Sequence, residues 1–274
     1  MKVHHVDCAT MCPIGKRFVS GHGGIFERAR MVCHCLIIES DQGIVIVDTG
    51  LGLDDLASPK LRLGGMFLAA TAPLLDPDQC AAKRVERLGY KRSDVRHVIV
   101  THLDVDHAGG LPDFPEATIH VHAPEHEAAM ARRTFFEKER YRVAQWAHGP
   151  KWKTYDATGE PWKGLRAVRE LDGLGPEFLI IPTEGHTRGH AAIAVDTGKG
   201  WLVHCGDAYF FHEEMNLDRP SCTPALAFFQ RTIAVDDDLR RENQARLREL
   251  KRGNSDVTLF SAHSDVEFDA LSRR

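Results

Sequence analysis

Apolar positions in this chain fall into short, largely β-branched runs, each bounded by Gly, Pro or Asp: His34–Glu39, Ile44–Val47, Val98–Val100, Thr118–Val121, Phe178–Ile181, Ala191–Val195, Trp201–Val203 and Val257–Phe260. All are of strand length, and the pattern predicts strands. Ser40-Asp41-Gln42-Gly43 joins the first two as a hairpin turn, with Gly43 where positive φ is needed. Helical stretches separate the strands. Pro77–Leu88 follows Asp76 as N-cap and stops at Gly89, Pro124–Phe136 is Ala-rich, and Asp237–Arg252 is capped by Asp236 or Asp237 and ends at Gly253. Strands alternating with helices predict an α/β layered architecture. Between residues 135 and 163 aromatic residues recur without a clear period, so this stretch reads as an insertion or lid, or as an amphipathic helix followed by a loop.

No repeat, low-complexity tract or Ser/Pro-rich linker divides the 274 residues, so 1–274 reads as one domain. The net charge of −4 gives no basic footprint for a phosphate backbone, and nucleic acid is not an expected partner. The N-terminal residues lack the apolar core of a secretion signal, and no apolar run approaches the roughly 20 residues that cross a bilayer. The expectation is a cytoplasmic protein that acts away from membranes. The odd count of seven cysteines fits free thiols better than a disulfide framework.

The segment Val98-Ile-Val-Thr-His102-Leu-Asp104-Val-Asp106-His107-Ala-Gly-Gly110 changes the picture. An apolar strand runs out into four ligand-type residues. While the chain stays extended, His102, Asp104 and Asp106 share one side, and His107 joins as the backbone turns. Packed together without a cation, such groups would repel or desolvate one another. A short loop of this kind can feed two ions roughly 3.5–4 Å apart, as two-metal hydrolysis requires. Three other strand ends present single ligand-type residues: His186, followed by His190; Asp207; and His263. Cys33-His34-Cys35 lies inside a strand and reads as structural, Cys8 and Cys12 lack a second pair, and His4, His5 and His22 read as surface or pocket-rim residues. Nucleotide-binding and serine-hydrolase motifs are missing from the sequence.

Thr101-His-Leu-Asp-Val-Asp-His107 resembles the His-x-His-x-Asp-His signature of the metallo-β-lactamase superfamily. Thr183-Glu-Gly-His-Thr-Arg-Gly-His190 resembles its Thr-Pro-Gly-His-Thr-x-Gly-His segment, and Val47-Asp-Thr-Gly50 its early turn. With Asp207 and His263 in order, the resemblance runs from about Val32 to His263. It implies an αββα four-layer sandwich and is nearest the quorum-signal lactonases, which open N-acyl homoserine lactones. Carried over by position, His102, Asp104 and His186 would hold a first divalent metal ion, Asp106, His107 and His263 a second, and Asp207 would bridge them. Asp48 would orient a ligand histidine, while His190 would support or pack rather than ligate.

The implied activity is metal-dependent hydrolysis of a small ester, lactone or thioester through a metal-bridging hydroxide, with a lactone favoured. Asp106 would also move the proton to the leaving group. Zinc is the expected metal, with manganese or iron as candidates at the first position. The substrate would be a small molecule, and a homodimer is compatible with the sequence. Two departures stand out. Asp104 replaces the family's second histidine, which adds a carboxylate and favours a harder ion. The lactonase tyrosine three residues after the bridging aspartate is Phe210 here, so Tyr209, one residue early, is the candidate to touch substrate. Two alternatives follow. One is a diiron redox protein, since flavodiiron proteins also carry a carboxylate at that motif position, although no flavin domain is expected before Arg274. The other is a metal-holding signal-binding protein without turnover.

Overall fold

In the computed structural model, residues 1–156 and 158–273 are described. Arg274 and Ala157, the latter within the expected insertion, lie outside them. The apolar runs become strands of two six-stranded sheets. The first holds β1 (Lys2–Asp7), β2 (His34–Ser40), β3 (Gly43–Val47), β4 (Val95–Ile99), β5 (Thr118–His122) and β6 (Lys151–Tyr155), in that order. The second holds β7 (Glu160–Trp162), β8 (Leu165–Leu171), β9 (Gly175–Pro182), β10 (Ala191–Asp196), β11 (Trp201–His204) and β12 (Val257–Phe260), again as neighbours in chain order. Adjacent residues point to opposite sheet faces and residues two apart share one, and this sorts the core into layers. Leu36, Ile38, Val45, Val47 and Ile99 meet Phe178, Ile180, Ile193, Val195 and Phe260 between the sheets. Ile37, Ile46, Val98 and Ile119 face outward onto Ala82, Val85 and Ala129 of the helices. Leu179, Ile181, Ala192 and Ala194 pack on Leu247 and Leu250 of the helix Asp237–Gly253. The result is the expected four-layer αββα arrangement. Each fully buried Leu or Ile contributes about 1.5–3 kcal/mol, so these layers, rather than local propensity, hold such short strands.

Strand direction places the site. β3 through β6 run parallel, as do β11 and β12, and each parallel step needs a crossover connection. The loops after β3, β4, β11 and β12 therefore leave from the carboxyl ends of parallel strands, where sites of layered α/β folds gather. The hairpin after β2 forms as expected, with Ser40 paired to Gly43 and Gly43 at φ 104°.

Several expectations need correction. The helix expected over Pro77–Leu88 is a single 3₁₀ turn, Pro77–Gln79, capped by Asp76, then a helix Ala81–Arg87 after extended Cys80. The helix expected over Pro124–Phe136 ends at Ala131, where Arg132 turns left-handed at φ 42°. A second helix, Phe135–Arg140, starts from the reciprocal Thr134–Glu137 cap. The 135–163 stretch supplies that helix and edge strand β6, which pairs with β5. Within it Tyr141 and Tyr155 are buried, while Phe135 and Phe136 are exposed. β1 has no counterpart in the expected strands. Among the described residues, no helix is long and apolar enough to cross a membrane. The seven cysteines are all free thiols.

Candidate metal centre

His102 and Asp104 lie just beyond β4, and the chain turns into a short helix, Val105–Ala108, that carries Asp106 and His107. The extended run thus stops before Asp106, one step earlier than the alternation implies. Asp104 sits at the N-cap but spends no side-chain bond on capping. His186 comes from the β9–β10 connection, Asp207 from the loop after β11, and His263 from the loop after β12. All six ligand-type residues other than Asp104 are buried.

The cluster is organised around Asp207. Its Oδ2 lies 3.3 Å from His186 Nε2 and 3.8 Å from His102 Nε2. Its Oδ1 lies 3.1 Å from His263 Nε2 and 3.3 Å from His107 Nε2. Asp106 Oδ2 stands 3.5 Å from His263 Nε2 and 3.9 Å from His107 Nε2. Asp104 Oδ2 stands 3.1 Å from His186 Nε2 and 3.5 Å from His102 Nε2. The seven residues read from the sequence as ligands therefore meet in one place. Two triads with ligand atoms within 4.8 Å of one another emerge, His102–His186–Asp207 and His107–Asp207–His263.

The surrounding bonds fix which nitrogen faces inward. His107 Nδ1 is 2.7 Å from Asp48 Oδ2, His263 Nδ1 is 2.8 Å from the Val32 carbonyl oxygen, and His102 Nδ1 is 3.0 Å from Thr101 Oγ1. Each bond leaves Nε2 turned to the cluster, the arrangement that orients metal-ligating imidazoles. Asp48, at φ 54° in the turn after β3, also accepts the Thr101 N–H and O–H. His190 is spent elsewhere: its Nδ1 donates to the Thr183 carbonyl at 3.0 Å and its Nε2 accepts the Asp207 N–H at 2.9 Å. It holds the backbone that carries Asp207. Glu125, which the sequence reading passed over, accepts the Leu103 and Gly189 N–H groups and ties two ligand loops together.

Electrostatics tests the fit to cations. Burial depresses the His107 imidazole, yet Asp207, Asp48 and Asp106 together push it well above its usual range. His263 rises for the same reason, as Asp207 and Asp106 outweigh burial. Protons on these imidazoles balance the carboxylates as a divalent cation would, so metal loading should release protons. His186 goes the other way, to about 4, because burial outweighs Asp207. The buried His102 Nε2, His107 Nε2 and Asp207 Oδ1 lack hydrogen-bond partners, as atoms reserved for a metal would. The donor set and its orientation fit two divalent ions.

Three neighbours were not legible as site residues. Arg140 Nε lies 3.2 Å from Asp104 Oδ1. Cys33 forms a third buried group with Asp106 and His263 within the same 4.8 Å. Phe210 stacks on His263, with ring centroids 5.0 Å apart and planes at 24°, and reaches within 6.0 Å of His186. The structure does not bring Tyr209 to the cluster. Its ring is fully buried in the outer layer of the second sheet, where its hydroxyl donates to Glu267 Oε1 at 2.9 Å. Consecutive side chains on this loop point opposite ways, and Phe210 takes the inward position. Two surface cavities, of about 330 and 510 Å³, contain none of the cluster residues, the first lying beside Leu165 and Asn243 and the second beside Glu39 and Tyr90.

The sequence profile of the Metallo-beta-lactamase superfamily matches residues 28–263. A probable metallo-hydrolase of Mycobacterium tuberculosis is 40% identical over 275 residues, spanning 100% of this chain and 83% of that protein. An N-acyl homoserine lactonase of Bacillus cereus is 26% identical over 234 residues, covering 85% of this chain and 81% of the relative. The crystal structure of a B. thuringiensis AiiA variant with N-decanoyl-L-homoserine at its active site superposes with a TM-score of 0.74. That match, at 20% identity, covers 98% of this chain and 96% of the other, and carries the fold. The fold, the sequence profile and the 40% identity to a metallo-hydrolase lead to one conclusion: the chain belongs to the metallo-beta-lactamase superfamily and is a metallo-hydrolase.

Proposed function

We propose that this metallo-hydrolase opens small lactones, or closely related esters and thioesters, at a two-metal centre. His102, Asp104 and His186 would hold the first ion, Asp106, His107 and His263 the second, and Asp207 would join them. The observation that carries this reading is the division of Asp207, one carboxylate oxygen facing His102 and His186 and the other His107 and His263. Two divalent cations held there would supply Lewis acidity and a water acidic enough to act as nucleophile near neutral pH. Asp106 takes the proton released as that water adds to the carbonyl and returns it to the leaving oxygen, giving acid and alcohol. Phe210, stacked on His263, and Val105, between Asp104 and Asp106, give the site an apolar border. The lactone preference is supported by likeness to N-acyl homoserine lactonases and by the bound N-decanoyl-L-homoserine of the B. thuringiensis relative.

The test is a panel of lactones, esters, thioesters and β-lactams, assayed before and after prolonged chelation. Lactones should show the highest kcat/KM, chelation should abolish turnover, and zinc, manganese or cobalt should restore it. Full activity in a verified metal-free preparation, or no turnover of any panel member by the metal-loaded protein, would sink the reading.

A further inference from the structure

We propose that the Cys33 thiolate is a ligand of the second metal position, beside Asp106 and His263. The inference rests on the two-metal reading above and adds a residue to it. The ligand atoms of Cys33, Asp106 and His263 all lie within 4.8 Å of one another, and all three residues are buried. Among the described residues Cys33 is the one cysteine so grouped; the buried Cys8, Cys35, Cys80 and Cys205 are not.

The backbone holds Cys33 in place. Its N–H donates to Asp7 Oδ1 at 3.0 Å, and its carbonyl accepts the Cys8 N–H at 2.8 Å. The preceding residue, Val32, accepts the bond from His263 Nδ1 that turns His263 Nε2 inward. The contact that orients one ligand therefore also sets the thiol beside it. The unpartnered His107 Nε2, nearby and fully buried, points independently to a missing cation. The bland alternative is a small apolar filler, since Cys33 also belongs to the apolar cluster with Met31 and Phe210. A filler needs no cation, and the two readings part on what a metal does to the sulfur.

Ligation would exchange the thiol proton for a metal–sulfur bond, so the ion at the second position would also displace that proton. It would also make the two positions unequal. The second gains a soft sulfur donor and should hold zinc or cobalt firmly, while the first, with Asp104, takes harder ions more readily.

The experiment is titration of the metal-free protein with cobalt(II), read by absorption. Visible ligand-field bands report binding, and a near-ultraviolet thiolate-to-cobalt band reports sulfur ligation. The wild type should show that band at one equivalent per chain. Cys33→Ser and Cys33→Ala should keep the visible bands and lose the near-ultraviolet one, with the second ion held about tenfold less tightly or worse. Cys35→Ser should leave it unchanged. Cobalt binding without the sulfur band, or with a band that survives in a folded Cys33 variant, overturns the assignment and leaves the two-metal reading standing. No cobalt binding at all overturns both. If neither variant folds, the wild-type spectrum decides: a band supports Cys33 as the one grouped cysteine, and its absence refutes it.

Discussion

Arg140 Nε stands 3.2 Å from Asp104 Oδ1, while its two terminal nitrogens donate to the carbonyls of His186 at 2.9 Å and Ile233 at 2.7 Å. The pair changes the charge balance of the site. Asp104 puts a carboxylate where the His-x-His-x-Asp-His signature has an imidazole, which by itself would lower the formal charge of a loaded centre by one unit. Arg140 returns that unit. Burial pushes the Asp104 carboxyl up, but Arg140, then His102 and His186, outweigh it and hold it well below the usual range. One Asp104 oxygen thus answers a guanidinium and the other faces His186 and His102.

Phe210→Tyr should raise lactone turnover. Phe210 stacks on His263 and lies near His186, and its backbone N–H is held by Glu214 Oε2 at 3.1 Å, so the ring is well placed but has nothing to donate. A phenol there could donate to the oxygen that gains charge as water adds. An increase in kcat of about tenfold is expected. Unchanged kcat and KM in a folded variant would show that this ring edge does not face the reacting carbonyl.

The stability of the chain should fall between weakly acidic and neutral pH because of Glu267. Burial pushes its carboxyl from 4.5 up to about 7, against the bonds from Ser261 N–H and Tyr209 O–H. Below the lower value both folded and unfolded chains hold the proton. As pH rises through the window the unfolded chain releases it first, so stability is lost up to about pH 7 and stays low beyond. The loss should be about 2 kcal/mol, allowing for partial exposure. In Glu267→Gln the amide can still accept from Ser261 and donate to Tyr209, and this slope should flatten. Parallel melting-temperature curves for the two proteins between pH 4 and 8 would contradict the assignment.

The clustered ligands were legible because chemistry and local pattern coincide: a carboxylate or imidazole directly after an apolar strand is conspicuous. Asp48 was readable for the same reason. Arg140 was not, since it sits in a helix of a different crossover and nothing in Thr134–Arg140 beyond a cap signal marks it. Cys33 was read as structural because alternation assigns a face but not what lies opposite that face in the other sheet. Tyr209 stood out because its phenol is the reactive group of the pair, but consecutive side chains on this loop point opposite ways and Phe210 takes the inward position. β6 was missed because Lys151-Trp-Lys-Thr-Tyr155, at a sheet edge, buries only Tyr155 and mixes polar with aromatic residues.

Gly206→Ala should distort the Asp207 loop. Gly206 has φ 50°, and a Cβ there would come within 2.6 Å of His190 Nε2 and 2.9 Å of Thr101. His190 Nε2 is the atom that accepts the Asp207 N–H, so the methyl group would push directly on the bond that seats Asp207. A cost of about 2 kcal/mol is expected, with metal content falling below two ions per chain. Wild-type melting temperature and metal content in the variant would show that the loop has room to shift.

The pairing of Asp104 with Arg140 makes a definite prediction about placing a histidine at position 104. Both side chains are only 15% exposed, so removing either partner leaves the other charge poorly compensated. Arg140→Met alone should destabilise the metal-free protein by about 3 kcal/mol. Asp104→His alone strands the guanidinium beside three imidazoles, and its repulsion should cancel the zinc affinity that a nitrogen donor would otherwise add. Asp104→His with Arg140→Met removes both charges together. The double variant should recover most of the stability, with a coupling of about 2 kcal/mol between the sites. It should bind zinc at the first position more tightly than either single variant. The basic limb of its pH–rate profile should also lie at lower pH than that of Asp104→His, to the extent that an imidazole ligand and the absence of a competing guanidinium let the cation act fully on its water. Melts of the four metal-free proteins, zinc titrations and pH–rate profiles complete the cycle. If Asp104→His alone tightens zinc as much as the double variant, and the two changes add without coupling, Arg140 does not set the charge of this centre.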